Sequence, residues 1–192
     1  MTEFCENNLI NPEWEKHGYI QVYTGDGKGK TTASLGLAMR ALGRCWKVLI
    51  IMFTKGGDDY GELNSFRNLS PEIAKNLTIR QAGLDRIIYA ANKNGEDDKA
   101  IKEGWALAKK AILNGEYNLI ILDEANIAID LNMIDVDDVV ETLQLKPDDM
   151  EIVLTGRNAH PKIVKIAHLV SEIKPIKHYW DTGIVARKGI EY

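Results

Sequence analysis

The residues best suited to chemistry in this 192-residue chain lie in one glycine-rich stretch, TGDGKGKTT, which runs from Thr24 to Thr32. Glycine has no Cβ, so it adopts positive φ angles readily and lets the backbone come close to a ligand. We expect Gly25, Gly27 and Gly29 to use that freedom, so that successive amide N–H groups point at a polyanion. The stretch departs from the phosphate-loop pattern G-x-x-x-x-G-K-[ST] at Thr24, where the pattern has glycine. It still predicts a phosphate cradle.

The side chains of the same stretch indicate what the cradle holds. Lys30 would add a positive charge to a chain of phosphates, and the hydroxyl of Thr31 is a suitable ligand for Mg²⁺ beside those phosphates. An apolar run precedes the stretch and a helical pattern follows it. That order is the strand–loop–helix context in which the motif binds a nucleotide.

A second group of polar residues is predicted at the same edge of a sheet. The run NLIILDEAN places Asp123 and Glu124 at the carboxyl end of an apolar segment, and ligands of open α/β sheets bind at that end of the strands. An acidic pair there suits Mg²⁺, or Mn²⁺, held directly or through water. If the next run, MEIVLTGR, forms a strand between the first and the fourth, Thr155 and Arg157 reach this edge as well, and Arg157 can contact phosphate.

These residues alone leave the class of nucleotide protein open. A GTPase needs a guanine-reading loop, and LNMID, at 131–135, lacks the lysine of such a loop. A small-molecule kinase needs an aspartate base and an acceptor pocket, for which the sequence offers no pattern. A nucleotide-dependent switch needs only the loop and a movable segment. The residues therefore predict a protein that binds Mg²⁺ and a nucleotide.

The elements that must position these residues follow from hydrophobic patterning. Six apolar runs predict strands, and several are apolar throughout, as in strands buried on both faces: Tyr19–Thr24, Lys47–Phe53, Leu77–Ala82, Asn118–Asp123, Met150–Thr155 and His168–Lys174. Helical patterns lie between them at 30–43, 97–114, 135–146 and 160–167. This alternation predicts a single α/β domain of the RecA-like phosphate-loop kind, with a mostly parallel six-stranded sheet and helices on both faces.

Three segments show no clear period. We interpret residues 1–17 as an N-terminal arm and residues 18–192 as the nucleotide-binding domain. The Gly-, Asp- and Asn-rich segment 54–76 is interpreted as an active-site loop, and the tail 175–192 has no assigned structure.

Composition excludes several other classes of protein. Hydrophobic residues make up 45% of the chain, too many for a disordered protein. The formal net charge is 24 − 28 = −4, without a basic cluster that would predict a nucleic-acid surface. No run reaches the roughly 18 apolar residues of a membrane span, and the first residues lack the apolar centre of a signal peptide. We expect a cytoplasmic protein that binds neither nucleic acid nor membrane.

Several blocks follow one another along the chain: TGDGKGKTT with ASLGLAMRALG, LIIMFTKG with GELNSF, LDEANIAI, VLTGRNAHP, and finally EIKPIKHYWDTGIVARKGIEY. Together, and in this order, they resemble the ATP:corrinoid adenosyltransferases. The resemblance runs from about Gly18 to Tyr192, and the last block is the most specific. It implies that a reduced Co(I) corrinoid, cob(I)alamin or cobinamide, attacks the 5′ carbon of ATP and that triphosphate leaves. It also implies an external electron donor, such as a flavoprotein, and a homodimer.

The resemblance also assigns roles by matching position. Residues 26–32 would wrap the triphosphate, with Lys30 as the main cation. Thr31 and Glu124 would hold the metal ion, with Asp123 beside it. Two arginines, Arg40 and Arg157, match arginines of the family pattern. The implied nucleotide-binding residues are Gly25, Asp26, Gly27, Lys28, Gly29, Lys30, Thr31, Thr32, Arg40 and Arg157.

One stretch departs from the family pattern. Relatives often carry an aromatic pair after the third strand, in a pattern like T-G-F-x-W, which displaces the lower axial ligand of cobalt. Here the matching stretch is AGLDR, so Leu84 and Arg86 stand in place of the two aromatic residues. The match places both residues against the corrinoid; Leu84 is suited to act as an apolar wedge there, whereas Arg86 cannot do so in the same way. We therefore expect a substrate whose lower ligand is loosely held, or a different way of displacing it.

Overall fold

The structure, a computed structural model, describes residues 17–84, 86 and 91–192. The described residues form one six-stranded sheet in the order β3-β2-β4-β5-β1-β6. Every recorded strand pairing is parallel. The strands are β1 (Ile20–Thr24), β2 (Val48–Met52), β3 (Leu77–Gln81), β4 (Leu119–Asp123), β5 (Glu151–Thr155) and β6 (Leu169–Glu172).

This order confirms the predicted insertion of the fifth strand between the fourth and the first. The register pairs Met52 with Asp123 and Tyr23 with Thr155, so β1, β2, β4 and β5 all end at one edge. Strands β2 and β4 are buried along their whole length. Their continuous apolar sequences are therefore those of strands covered on both faces.

Helices cover both faces of the sheet in the described part of the chain. They are α1 (Lys30–Leu42), α2 (Gly61–Arg67), α3 (Pro71–Ala74), α4 (Gly95–Asn114), α5 (Ala125–Asp130), α6 (Val136–Gln144) and α7 (Pro161–Ile166). Ala38 and Leu42 of α1 and Phe66 of α2 pack on one face. Ile101 of α4 and Val139 of α6 pack on the other face. The predicted layers of the α/β fold are thus confirmed.

The segment 54–76 differs from the loop that its composition predicts, because it contains α2 and α3. In α2, Leu63 and Phe66 lie three residues apart on one face and are buried, with 4% and 7% of their surface exposed. That spacing is the helical signal. The helix is only seven residues long, so the glycines and polar residues around it hide the period.

The helix ends follow local sequence signals. Asn94 caps α4, its side chain accepting hydrogen bonds from the backbone N–H groups of Glu96 and Asp97. Asp135 caps α6 in the same manner, as its position before the apolar pattern predicts. Pro161 opens α7, where its missing N–H costs nothing. Within the described residues no helix is long and apolar enough to cross a membrane.

Candidate active site

The glycine-rich stretch forms the connection between β1 and α1, and its glycines serve different purposes. Gly25 and Gly29 have φ angles of 96° and 121°, which side chains larger than glycine rarely adopt. Gly27 lies outside the positive-φ region, so the expected positive angle is wrong for this residue. A side chain has no room at Gly27, because an added Cβ would lie 2.8 Å from the carbonyl oxygen of Ile173. The same oxygen accepts a hydrogen bond from the Gly27 N–H at 2.7 Å.

Thr24, the residue that departs from the phosphate-loop pattern, stabilises the start of the loop through a side-chain hydrogen bond. Its hydroxyl oxygen accepts a hydrogen bond from the backbone N–H of Ala159 at 3.2 Å. This contact ties the end of β1 to the segment after β5. The threonine therefore anchors the cradle without entering it.

Lys30 lies at the centre of the loop and is buried, with 8% of its surface exposed. Its ammonium group donates hydrogen bonds to the carbonyl oxygens of Gly25 and Gly27 at 2.7 and 2.8 Å. Burial lowers the pKa of Lys30, and the nearby carboxylate of Glu124 opposes that shift. The loop thus holds a positive charge where phosphate oxygens would lie.

The carboxylate of Asp123 organises the adjoining strand ends. Its Oδ1 accepts hydrogen bonds from the hydroxyls of Thr31, at 2.8 Å, and Thr155, at 2.7 Å. The hydroxyl oxygen of Thr155 in turn accepts a hydrogen bond from the backbone N–H of Glu124 at 2.9 Å. The prediction from the β5 sequence, that Thr155 reaches this edge, is confirmed. The ends of β4 and β5 are therefore joined to the start of α1 through one buried carboxylate.

Glu124 has a conformation that is uncommon for a residue with a side chain. Its φ angle is 59°, in the left-handed region, and residues held in that way cluster at functional sites. Burial raises the pKa of Glu124, and the neighbouring charge of Asp123 raises it further. Gly156 leaves room for this side chain, because a Cβ there would lie 3.1 Å from Glu124 Oε2.

Lys55 is a member of the site that sequence reasoning missed. Its ammonium lies 3.1 Å from Oδ2 of Asp123 and 3.7 Å from Oε1 of Glu62. Burial by itself lowers the pKa of Lys55, but the attraction of Asp123 and of the other nearby carboxylates outweighs it, and the pKa is raised. A signal was present, since Lys55 and Glu62 stand in the blocks TKG and GELNSF.

The two arginines matched to the family pattern lie in different places. Arg157 lines the cavity beside the loop, and its Nε lies 3.6 Å from Oδ1 of Asp26. Arg40 is exposed on α1 and is absent from the described residues that line this cavity. Its charge acts on Tyr23, where burial raises the tyrosine pKa and Arg40 opposes the rise. The structure therefore does not bring Arg40 to the phosphate loop.

Arg86 makes structural contacts. Its guanidinium forms an ion pair with Oδ2 of Asp97, a fully buried residue, and donates to the carbonyl oxygen of Asn92 at 3.0 Å. Leu84 accepts a hydrogen bond from the Arg86 N–H through its carbonyl oxygen. Neither Leu84 nor Arg86 is among the described residues lining the cavity. Arg86 instead steadies the start of α4.

A cavity of about 980 Å³ opens above these groups. One wall is the phosphate loop with α1, and another is the start of α2 with Lys55 and Glu62. The third wall is the strap, by which we mean residues 178–192. The strap includes a short 3₁₀ turn at Tyr179–Thr182. The tail, which has no period in the sequence, thus lies against the predicted site.

The chemistry of the strand ends fits a small divalent cation. Thr31, Asp123 and Glu124 offer oxygen donors, the type that Mg²⁺ prefers, and Mg²⁺ usually keeps waters or phosphate oxygens as its other ligands. The buried Oδ2 of Asp123 finds no hydrogen-bond partner in the described part of the chain and faces the cation of Lys55. Among the described residues no cluster of three or more His, Cys, Asp or Glu side chains forms a complete metal cage. The donors therefore suit an ion that is completed by phosphate oxygens.

A fold of this kind occurs in a flagellar accessory protein, FlaH, from Methanocaldococcus jannaschii. The two structures align with a TM-score of 0.54 over 82% of this chain and 71% of that one, at 15% sequence identity. Such a likeness shows the α/β fold and nothing further.

Sequence comparison gives more specific relatives. The corrinoid adenosyltransferase of Escherichia coli K12 is 33% identical over 93% of this chain and 87% of its own length. The corrinoid adenosyltransferase CobA of Salmonella typhimurium is 32% identical with the same coverage. A protein of a Nostoc species is 36% identical over 90% of this chain, which spans only 48% of that relative's length.

The model of the family described as ATP:corrinoid adenosyltransferase BtuR/CobO/CobP matches residues 16–192. That range includes the phosphate loop, the acidic strand end, the lysine at position 55 and the strap. The chain therefore belongs to the ATP:corrinoid adenosyltransferase family.

Proposed function

We propose that this protein transfers the 5′-deoxyadenosyl group of ATP to the cobalt of a reduced corrinoid, releasing triphosphate. The observation that supports this most is the convergence of Lys30, Thr31 and Glu124 on one cavity, in a chain whose family match covers residues 16–192. In the balanced step, the Co(I) electron pair forms the cobalt–carbon bond. The bond between the 5′ carbon and its oxygen breaks, and its electrons leave with the triphosphate.

Residues of this chain would hold and neutralise the leaving group. The backbone of residues 25–32 would surround the triphosphate, because its N–H groups lie at the start of α1. Lys30 would turn its ammonium from two loop carbonyls toward phosphate oxygens, and Arg157 would add charge from the cavity wall. Preorganised charge of this kind acts where negative charge grows during the reaction.

Thr31, Glu124 and Asp123 would hold a magnesium ion. Such an ion would supply positive charge to the departing triphosphate. The protein needs no nucleophilic side chain, because Co(I) is itself the nucleophile. Its own contribution is alignment of cobalt with the ribose carbon, which can lower a barrier by roughly 7–11 kcal/mol at best.

The corrinoid would enter from the cavity side that carries Lys55, against which the turn after β3 packs. An added Cβ on Gly83 would lie 2.5 Å from the Lys55 backbone nitrogen, so this turn packs directly on the site. Leu84 follows in that turn and stays a predicted contact for the lower face of the corrin ring. The predicted homodimer, the flavoprotein reductant, the N-terminal arm and the cytoplasmic location also stay predictions, and residues 1–16 lie outside the described residues.

The experiment that tests this function is an anaerobic reaction. The protein is mixed with chemically reduced cobalamin or cobinamide, ATP and Mg²⁺, while the corrinoid spectrum and the phosphate product are followed. We expect a cobalt–carbon spectrum together with intact triphosphate. Lys30→Ala should slow the reaction about a hundredfold or more, the size expected when a preorganised charge is removed. Lys102→Ala is the matched control, since Lys102 is exposed on α4, away from the cavity.

Two other functions give different products. A small-molecule kinase would release ADP when an acceptor is supplied, and a binding switch would hold ATP without turnover. The family match favours adenosyl transfer over both. ATP binding without any change in either corrinoid would contradict the proposal.

A further inference from the structure

The strap, residues 178–192, lines the cavity, yet the proposed function gives it no part. It contains the blocks KHYWDTG and ARKGIEY, the most specific part of the family resemblance. Trp180, Ile184 and Ile190 of the strap line the same cavity as Leu35 and Met39 of α1. The strap and the first turns of the helix that the phosphate loop begins therefore form apolar walls of one cavity.

The strap is attached on both sides of the cavity. On the loop side, the Lys28 ammonium donates a hydrogen bond to the carbonyl oxygen of Ile190 at 2.9 Å and lies 3.2 Å from Oε1 of Glu191. On the α2 side, the Lys188 ammonium lies 3.5 Å from Oδ1 of Asp59. The latter pair is widely exposed and contributes little. The Lys28 contacts are therefore the principal attachment.

Glu191 is the centre of this attachment. The Tyr179 hydroxyl donates to its Oε1, and the Arg187 backbone N–H donates to its Oε2 at 2.8 Å. The Arg187 guanidinium lies over the Tyr179 ring at 4.8 Å. These donors lower the pKa of Glu191 to about 2, with the Tyr179 hydroxyl as the largest cause. One carboxylate, 19% exposed, thus joins Tyr179 and Arg187 of the strap to Lys28.

We propose that Glu191 is a positioning residue of the ATP site, which acts by holding Lys28 and the apolar wall of the strap in place. Lys28 lies between Gly27 and Gly29, so the contact that orients Lys28 also orients the amide groups on both sides of it. The same contact sets the distance between Trp180 and the first turns of α1. The inference rests on the proposed function, because it takes ATP to be the nucleotide bound here.

The test measures ATP binding without any corrinoid, by calorimetric titration with Mg²⁺ present. Glu191→Ala should weaken ATP binding roughly tenfold, a loss in the range measured for contacting pairs. Lys28→Ala should cause a similar loss, and the double variant should lose little more than either single one. Glu191→Gln keeps one acceptor oxygen, which can serve either Tyr179 or Arg187, but removes the ion pair with Lys28, so its loss of ATP affinity should be intermediate.

Controls separate positioning from general damage. Glu103→Ala removes an exposed carboxylate of α4 and should bind ATP as the unaltered protein does. Unaltered ATP affinity in Glu191→Ala, or losses that add fully in the double variant, would overturn the inference. ATP binding without adenosyl transfer would overturn the proposed function alone, whereas absence of ATP binding by the unaltered protein would overturn both.

Discussion

The ammonium of Lys55 lies 3.1 Å from Oδ2 of Asp123, a buried oxygen with no other polar partner among the described residues. The other oxygen of this carboxylate already accepts hydrogen bonds from two hydroxyl groups. Lys55 therefore balances a charge that has no access to water. Glu62 lies on the far side of Lys55 at 3.7 Å, so one cation stands between two carboxylates.

Removing that cation should destabilise the fold and make it sensitive to magnesium. Lys55→Met leaves a buried carboxylate unpaired, which costs on the order of 3 kcal/mol. Because Mg²⁺ would supply replacement charge, adding it should recover part of the loss. Urea unfolding of the variant with and without Mg²⁺ measures both effects. Lys102→Met, at an exposed position of α4, is the control. Equal stability of the two variants would contradict the importance of the Lys55–Asp123 pair.

Gly156 should be needed for both backbone shape and the placement of Glu124. Its φ angle is 124°, and an added Cβ would lie 3.1 Å from Glu124 Oε2. Gly156→Ala should cost about 1–2 kcal/mol of stability and should also reduce adenosyl transfer. Gly115→Ala is matched for backbone strain, with φ 69° at the end of α4. It should lower the melting temperature without affecting the reaction rate. If the two variants lose activity equally, the crowding of Glu124 is unimportant.

Much of the fold could be predicted, because strands and helix ends are indicated by short stretches of sequence. Continuous apolar runs marked β2 and β4 as strands buried on both faces, and Asp135 marked the start of α6. Long-range contacts left no such signal. Lys55 lies beside Asp123 because Met52, at the end of β2, pairs with Asp123 of β4. The sequence alone does not predict that register. The left-handed conformation of Glu124 was equally hidden, since the packing around it imposes a backbone that glutamate rarely adopts.

The ion pair of Arg86 gives this residue a structural role that its matched position in the family pattern does not predict. Its place in AGLDR predicted a position against the corrinoid, whereas its guanidinium pairs with buried Asp97 at the start of α4. Arg86→Ala should therefore destabilise the protein by about 3 kcal/mol, the cost of leaving a buried charge alone. Its affinity for reduced cobinamide should change little.

Leu84→Ala is the companion variant for that prediction. Leu84 is half-buried and has no part in the ion pair, so we expect a smaller loss of stability and a larger loss of corrinoid affinity. Urea unfolding and spectroscopic titration with cobinamide measure the two quantities for each variant. A loss of corrinoid affinity in Arg86→Ala at full stability would reverse the assignment.

The contacts of Asp138, which does not line the cavity, predict how the stability of the fold depends on pH. The Trp105 indole N–H donates to Oδ2 of Asp138 at 2.6 Å, and the Lys109 ammonium bonds to Oδ1. The hydrogen bonds from Lys109 and then Trp105 lower the pKa of Asp138 below its usual 3.8. Because the folded pKa is depressed, this carboxylate contributes stability at pH values above the unfolded pKa. The contribution is lost as the pH falls through the folded value.

Asp138→Asn should therefore cost about 1 kcal/mol at pH 7, where it removes charge from a hydrogen bond to a nearly buried indole. The difference from the unaltered protein should shrink as the pH falls below the unfolded pKa of the aspartate and through its lower folded pKa, because the carboxyl then becomes neutral, as the asparagine side chain is. Urea unfolding at each pH measures it. Asp137→Asn is the control, because Lys162 is the ion-pair partner of Asp137 within the described ranges and both side chains are more than half exposed. That exposed pair should contribute little at any pH, so a pH-dependent loss of equal size in both variants would contradict the role of the Trp105–Asp138 contact.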